Sequence, residues 1–127
     1  MAGATPPGDP ELRRWLAWLL RGGGAHASLT DILDDWPATA RGCRPDPDGR
    51  LHSPWELLEH LRLAQRDILD YTRDPDGYAP REWPADYWPD SPVPPSQEAW
   101  ARACDDAGSD LQAMIAPVED PQRDLSA

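Results

Sequence analysis

Leu12, Trp15, Leu16 and Leu19 recur at i, i+3, i+4 and i+7, and Trp18 and Leu20 widen the same edge. This is the repeat of one face of a helix with 3.6 residues per turn. Asp9-Pro10-Glu11 carries start signals and Gly22-Gly23-Gly24 a stop, so the spacing predicts an amphipathic helix over residues 10 to 21. Ser28, with Asp31 three positions later, repeats the start signature ahead of Leu29, Ile32 and Leu33. Pro37 keeps that short helix from running past Trp36, because proline lacks the amide hydrogen a helix interior needs.

The strongest punctuation is His52-Ser53-Pro54-Trp55-Glu56. Ser53 as N-cap and Glu56 three residues on form a capping box, and Pro54 occupies the first helical position, where its missing N–H costs nothing. The helix that follows, about 54 to 72, puts Leu57, Leu58, Leu61, Ala64, Ile68, Leu69 and Tyr71 on one broad face and Glu59, Arg62, Arg66 and Asp70 opposite. Leu63 falls with the polar residues. Gln65 falls inside the apolar face, so its amide needs a partner such as a carbonyl or another side chain. Ser96 caps a third long helix on which Trp100, Cys104, Ala107, Leu111 and Met114 recur at spacings of 4, 3, 4 and 3, the seam of a helix packed along its neighbours. Pro117 is expected to end it near Ala116.

Between these elements the periodicity vanishes. Residues 38 to 52 contain Arg41-Gly42 and Pro45-Asp46-Pro47-Asp48-Gly49, which is turn chemistry and predicts a connecting loop. From Arg73 to Pro95 seven prolines alternate with Tyr78, Trp83, Tyr87 and Trp88, which excludes a long helix or a central strand. Disordered segments are poor in large aromatics, so this stretch is expected to be an ordered cover packed across the helices. Residues 1 to 9 are expected to be a disordered N-terminus, and 10 to 127 a single all-α domain, since 127 residues suffice for one core.

Charge narrows the partners. Twelve basic residues, all arginine, against 23 acidic ones give a net charge of -11, which repels phosphate backbones and anionic membrane surfaces and argues against nucleic-acid or membrane partners. No apolar run approaches the roughly 20 residues of a membrane span, and Met1 to Asp9 lacks the basic and apolar regions of a signal peptide, so a cytoplasmic location is expected. The two cysteines, Cys43 in a polar loop and Cys104 on a helical seam, make no CxxC pair and read as reduced thiols. Cys104 in that setting is a small buried hydrophobe with an inert thiol, and Cys43 has no base nearby in sequence to activate it.

Candidate chemistry concentrates at His60, at the margin of the apolar stripe beside Leu57 and Ala64, with Glu56 one turn before it and Asp67 two turns after. A histidine so placed is most often satisfied by a neighbouring carboxylate; as a metal ligand it needs two more donors. His26 and His52 lie in loops at helix starts, where capping or solvated roles are commoner, and nothing in their spacing selects a three-histidine site with His60. Asp34-Asp35, Asp105-Asp106 and Glu119-Asp120 match no calcium-loop spacing and read as solvated faces. Trp83, Tyr87 and Trp88 are candidates for the wall of a ligand pocket.

Gly24-Ala25-His26-Ala27-Ser28-Leu29, the block from His52-Ser53-Pro54-Trp55-Glu56-Leu57-Leu58-Glu59-His60 through Leu69, Tyr87-Trp88-Pro89 and Trp100 together resemble the DinB-like superfamily of four-helix bundles. The resemblance implies an all-α, up-down helix bundle holding a divalent metal such as zinc, nickel or manganese on three histidines. It further implies a metal-dependent hydrolase, or a transferase using a low-molecular-weight thiol, acting on a small-molecule substrate. His60 matches the family's second-helix histidine. The HxxxH pair that the family carries on its fourth helix has no counterpart here, and the resemblance implies a chain that stops short of that helix. Three amphipathic helices without a fourth leave apolar surface exposed, which a homodimer would cover. The competing reading is a non-catalytic stress-response or binding module whose exposed apolar surface and aromatic cover hold a ligand or a partner helix.

Overall fold

A computed structural model describes residues 9–22, 29–34 and 36–125, and among them the chain is all-helical, without strands. The described residues hold four α-helices, α1 (Asp9–Leu20), α2 (Leu29–Asp34), α3 (Pro54–Arg73) and α4 (Gln97–Glu119), and single 3₁₀ turns at Ala38–Ala40 and Ala85–Tyr87. Residues 1 to 8, His26 and Ser28 lie outside the described residues. Asp9, expected in a disordered terminus, opens α1 instead and is held by Arg13 at 2.8 Å.

α3 begins as its sequence dictates. The Ser53 hydroxyl accepts the Glu56 amide at 3.2 Å and the Glu56 carboxylate accepts the Ser53 amide at 3.0 Å, so both halves of the capping box form. α4 starts on the Ser96 hydroxyl, which accepts the Ala99 amide at 3.0 Å.

α4 is the hub, packing against both α3 and α1. Trp55 meets Trp100 at 6.4 Å between ring centres, Gln65 donates to the Ala107 carbonyl at 3.3 Å, Arg66 pairs with Asp110 at 3.0 Å, and Arg123 reaches the Thr72 carbonyl at 3.5 Å. Contacts that advance together along both helices mean that α3 and α4 run parallel. The up-down order expected of the bundle therefore does not hold for this pair. The Pro/aromatic segment is the crossover that returns the chain to the start of α4, and it lies on α3.

The core holds Trp55, Leu58, Trp100, Ala103 and Ala107, with Leu33, Trp36, Ala99 and Cys104 packed on it, and Ala17, Leu69 and Ile115 are buried as well. The small Ala103 and Ala107 let α3 approach α4 closely. The buried side of α4 keeps Trp100 and Ala107 of the expected seam but takes Ala103, Asp110 and Ile115 in place of Cys104, Leu111 and Met114, which are half-buried.

α1 departs further from expectation. Its buried residues are Arg13 and Ala17, whereas Leu12, Trp15, Trp18 and Leu19 stay exposed. Arg13 decides the rotation: it donates to the carbonyls of Val118 at 3.0 Å, Asp120 at 2.6 Å and Arg123, and pairs with Asp9. A buried guanidinium must spend its donors, and the last carbonyls of a helix lack intrahelical partners. The same contacts account for the end of α4, which continues through Pro117 to Glu119 rather than stopping at Ala116. Pro117 removes only the amide that the Ala113 carbonyl would accept, and the Val118 and Asp120 carbonyls beyond it are bound by Arg13.

Candidate functional site

The candidate site forms where the N-terminal half of α3 meets the crossover. Two loops are fastened there: the Trp55 amide donates to the Arg41 carbonyl at 2.8 Å, and the Ser53 hydroxyl donates to the Pro92 carbonyl at 2.6 Å. Arg44, in the loop before α3, grips Glu56 with two bonds of 2.9 Å each. The Arg44 guanidinium, above all, holds the Glu56 carboxyl down to about 2, helped by the Ser53 amide and by His52 and opposed by burial.

His52 and His60 enclose one indole. The Trp88 ring stacks on His60 at 3.9 Å and 10°, and on His52 at 4.0 Å and 26°. Two imidazoles cannot share one indole face at that distance, so they take opposite faces. Trp83 meets His60 edge-on at 6.2 Å and Tyr87 at 5.2 Å, and is itself 69% exposed. The aromatic segment thus forms a half-open wall around His60.

Among the described residues His60 is oriented through one polar contact, its Nδ1 at 2.8 Å from the Tyr87 carbonyl. A carbonyl only accepts, so Nδ1 carries the hydrogen, and in the neutral ring the lone pair sits on Nε2. No bond to Nε2 is found among the described residues. The neighbouring-carboxylate expectation fits His52 instead, whose Nδ1 lies 3.4 Å from Glu56.

Two turns beyond His60, Asp67 accepts the hydroxyls of Tyr78 at 2.5 Å and Tyr87 at 2.7 Å and faces Arg81 at 3.5 Å. The Tyr78 hydroxyl, first of these, lowers the Asp67 carboxyl below its ordinary range, and the same bond pushes Tyr78 up to about 12. Tyr87 is raised for the same reason. Asp67 therefore anchors the turn whose carbonyl orients His60. Beside it, Asp70, Arg73, Asp74, Gly77 and Arg81 help line an open, polar cavity of about 350 Å³.

Of the other sequence candidates, Cys43 is exposed and donates its thiol to the Thr39 carbonyl at 3.5 Å, and Cys104 is half-buried against the core. Asp105, Asp106, Glu119 and Asp120 are exposed, Glu119 pairing with Arg21 at 2.5 Å. Among the described residues no three His, Cys, Asp or Glu side chains converge as a metal site. The sequence already offered Trp83, Tyr87 and Trp88 as pocket walls and set Asp67 two turns after His60, but the stacking of Trp88 between His52 and His60, the grip of Arg44 on Glu56 and the bonds from Tyr78 and Tyr87 to Asp67 were not legible in it.

Compared with protein-family models, with curated protein sequences and with solved structures, the chain matches none of them.

Proposed function

We propose that this chain is a DinB-like helical domain of the divalent-metal-dependent enzyme type, hydrolase or thiol-dependent transferase, with His60 as a metal-facing ligand. The observation that carries the proposal is the 2.8 Å bond from His60 Nδ1 to the Tyr87 carbonyl. Metal-ligating histidines characteristically donate their second ring nitrogen to a carbonyl or carboxylate, which fixes the tautomer and aims the other nitrogen outward. A divalent metal on such a ligand acidifies a bound water or thiol and so supplies a nucleophile.

The donors described here do not by themselves close such a site. His52 and His60 lie on opposite faces of Trp88, their ring centres about 8 Å apart, whereas one zinc holds each nitrogen at about 2.0–2.1 Å. His52 is therefore not a co-ligand in this arrangement. What the chain's own residues do is orient His60, flank it with Trp83 and Trp88, and hold the Tyr87 turn through Asp67.

The test is a nickel(II) titration followed by tryptophan fluorescence and native mass spectrometry. A paramagnetic ion on His60 quenches Trp88, stacked at 3.9 Å, so saturable quenching that disappears in His60→Ala is the expected result. Equal quenching in the variant, or none in the wild type, refutes the ligand role. The half-open aromatic wall favours a second reading, a non-catalytic ligand-binding module. On that reading a small apolar ligand shifts Trp83 or Trp88 emission equally well in chelator-treated protein.

A further inference from the structure

α3 carries an apolar edge beside His60. Leu57, Leu61, Ala64, Ile68 and Tyr71 are spaced 4, 3, 4 and 3 apart, and Leu57, Leu61, Ile68 and Tyr71 are 53%, 36%, 53% and 57% exposed. At about 100° per residue Ala64 and Leu57 lie only about 40° and 60° round the helix from His60, so the edge flanks the histidine and continues for roughly 16 Å beyond it to Tyr71. No charged residue falls on it.

The crossover runs along the same flank of α3. At one end Trp83 meets His60 edge-on at 6.2 Å, at the other Tyr78 meets Tyr71 edge-on at 5.3 Å, and between them Tyr78 and Tyr87 are tied to Asp67 at 2.5 Å and 2.7 Å. The α3 edge is thus the floor, and the crossover the wall, of one shallow trough leading to His60. The exposed side chains of the floor leave on the order of 400 Å² in water, about half of the roughly 800 Å² that each partner gives to a standard protein interface. That area suits a small elongated ligand better than a second protein.

We propose that the trough takes the apolar chain of the substrate whose reacting group sits at His60, so that the site acts on long alkyl compounds with an uncharged hydroxyl or thiol head. The inference rests on the reading of His60 as the reacting centre. Its Nδ1 donates to the Tyr87 carbonyl, which leaves the Nε2 lone pair to accept from an O–H or S–H group. A charge of -11 on the chain and an uncharged floor both select against an anionic ligand.

A series of n-alkanols from butanol to octanol, titrated into the whole chain after chelator treatment and followed by tryptophan emission, reads the trough. Complete burial of a methylene tightens binding about fourfold, so on a floor open to water on one side a fall in Kd of about twofold per added methylene is expected. The double variant Leu61→Ser/Ile68→Ser, at positions already exposed, is expected to keep its helical circular-dichroism spectrum and to bind octanol as weakly as butanol. Leu12→Ser, on the exposed edge of α1, is expected to keep the wild-type series, and His60→Ala to weaken every alkanol by one common factor. A Kd that does not change with chain length overturns the proposal, as does a series left intact by the double variant or flattened equally by Leu12→Ser. A flat series from a chain that sediments at twice 14.1 kDa overturns it in favour of a second copy on the α3 edge. Nickel(II) binding at His60 is read independently: a chain-length series without it removes the metal and keeps the trough, and nickel binding with a flat series removes the trough and keeps the metal.

Discussion

Glu56→Gln isolates the carboxylate that joins three parts of the chain. In the wild type this nearly buried group accepts two bonds of 2.9 Å from Arg44 and one of 3.0 Å from the Ser53 amide, and it lies 3.4 Å from His52. Glutamine keeps an acceptor for the Ser53 amide but loses the charge that Arg44 grips. The folded-state pKa is lowered from the ordinary 4.5 to about 2. A lowered carboxyl contributes stability that is fully present above the unfolded value and is lost as pH falls through the folded value, here from 4.5 down to about 2. The full shift corresponds to about 3 kcal/mol, and solvent around the partly exposed Arg44 reduces this to about 2 kcal/mol. For a chain of this size that is a fall in Tm of roughly 8 °C near neutral pH. Thermal unfolding followed by circular dichroism should show this gap at pH 7 and a smaller one at pH 3, where the wild type has begun to lose the same contribution. A gap below about 1 °C at pH 7, or one that is undiminished at pH 3, would refute the assignment, since one kcal/mol corresponds to several degrees here.

Arg13→Ala removes a buried guanidinium from three carbonyls of the α4 end and from Asp9; a loss of about 3 kcal/mol is expected, with new proteolytic cleavage near Arg123, and an unchanged digestion pattern would contradict the anchoring role. Asp67→Asn removes the charge that raises Tyr78 and Tyr87, so phenolate absorbance should appear at lower pH in the variant than in the wild type. Coincident titration curves would show that the carboxylate does not hold those hydroxyls.

Local chemistry made the helices legible. The capping box at Ser53 and Glu56, Pro54 at the first helical position and the Ser96 cap act within a single turn, so the starts of α3 and α4 follow from residue identity alone. Gln65, a polar side chain on an apolar face, announced its need for a partner and finds one in the Ala107 carbonyl. The long segment of prolines and aromatics likewise declared itself non-helical and ordered, and it contains one 3₁₀ turn.

Which face of each helix is buried was decided elsewhere. Leu12, Trp15 and Leu19 have the period of a core face, yet Arg13 and Ala17 turn inward because three carbonyls at the other end of the chain need donors. The end of α4 beyond Pro117 has the same distant cause. At the candidate site, the capping of α3 and the position of His60 on it follow from the sequence. Its pairing with Trp88, its bond to the Tyr87 carbonyl and the clamp on Asp67 join residues 11 to 28 positions apart. Helix starts and their caps follow from residue identity, because capping and proline effects act between neighbouring residues. Helix rotation, the parallel course of α3 and α4 and the orientation of His60 depend on contacts distant in the chain, because burial and unpaired polar groups are satisfied across the whole fold at once.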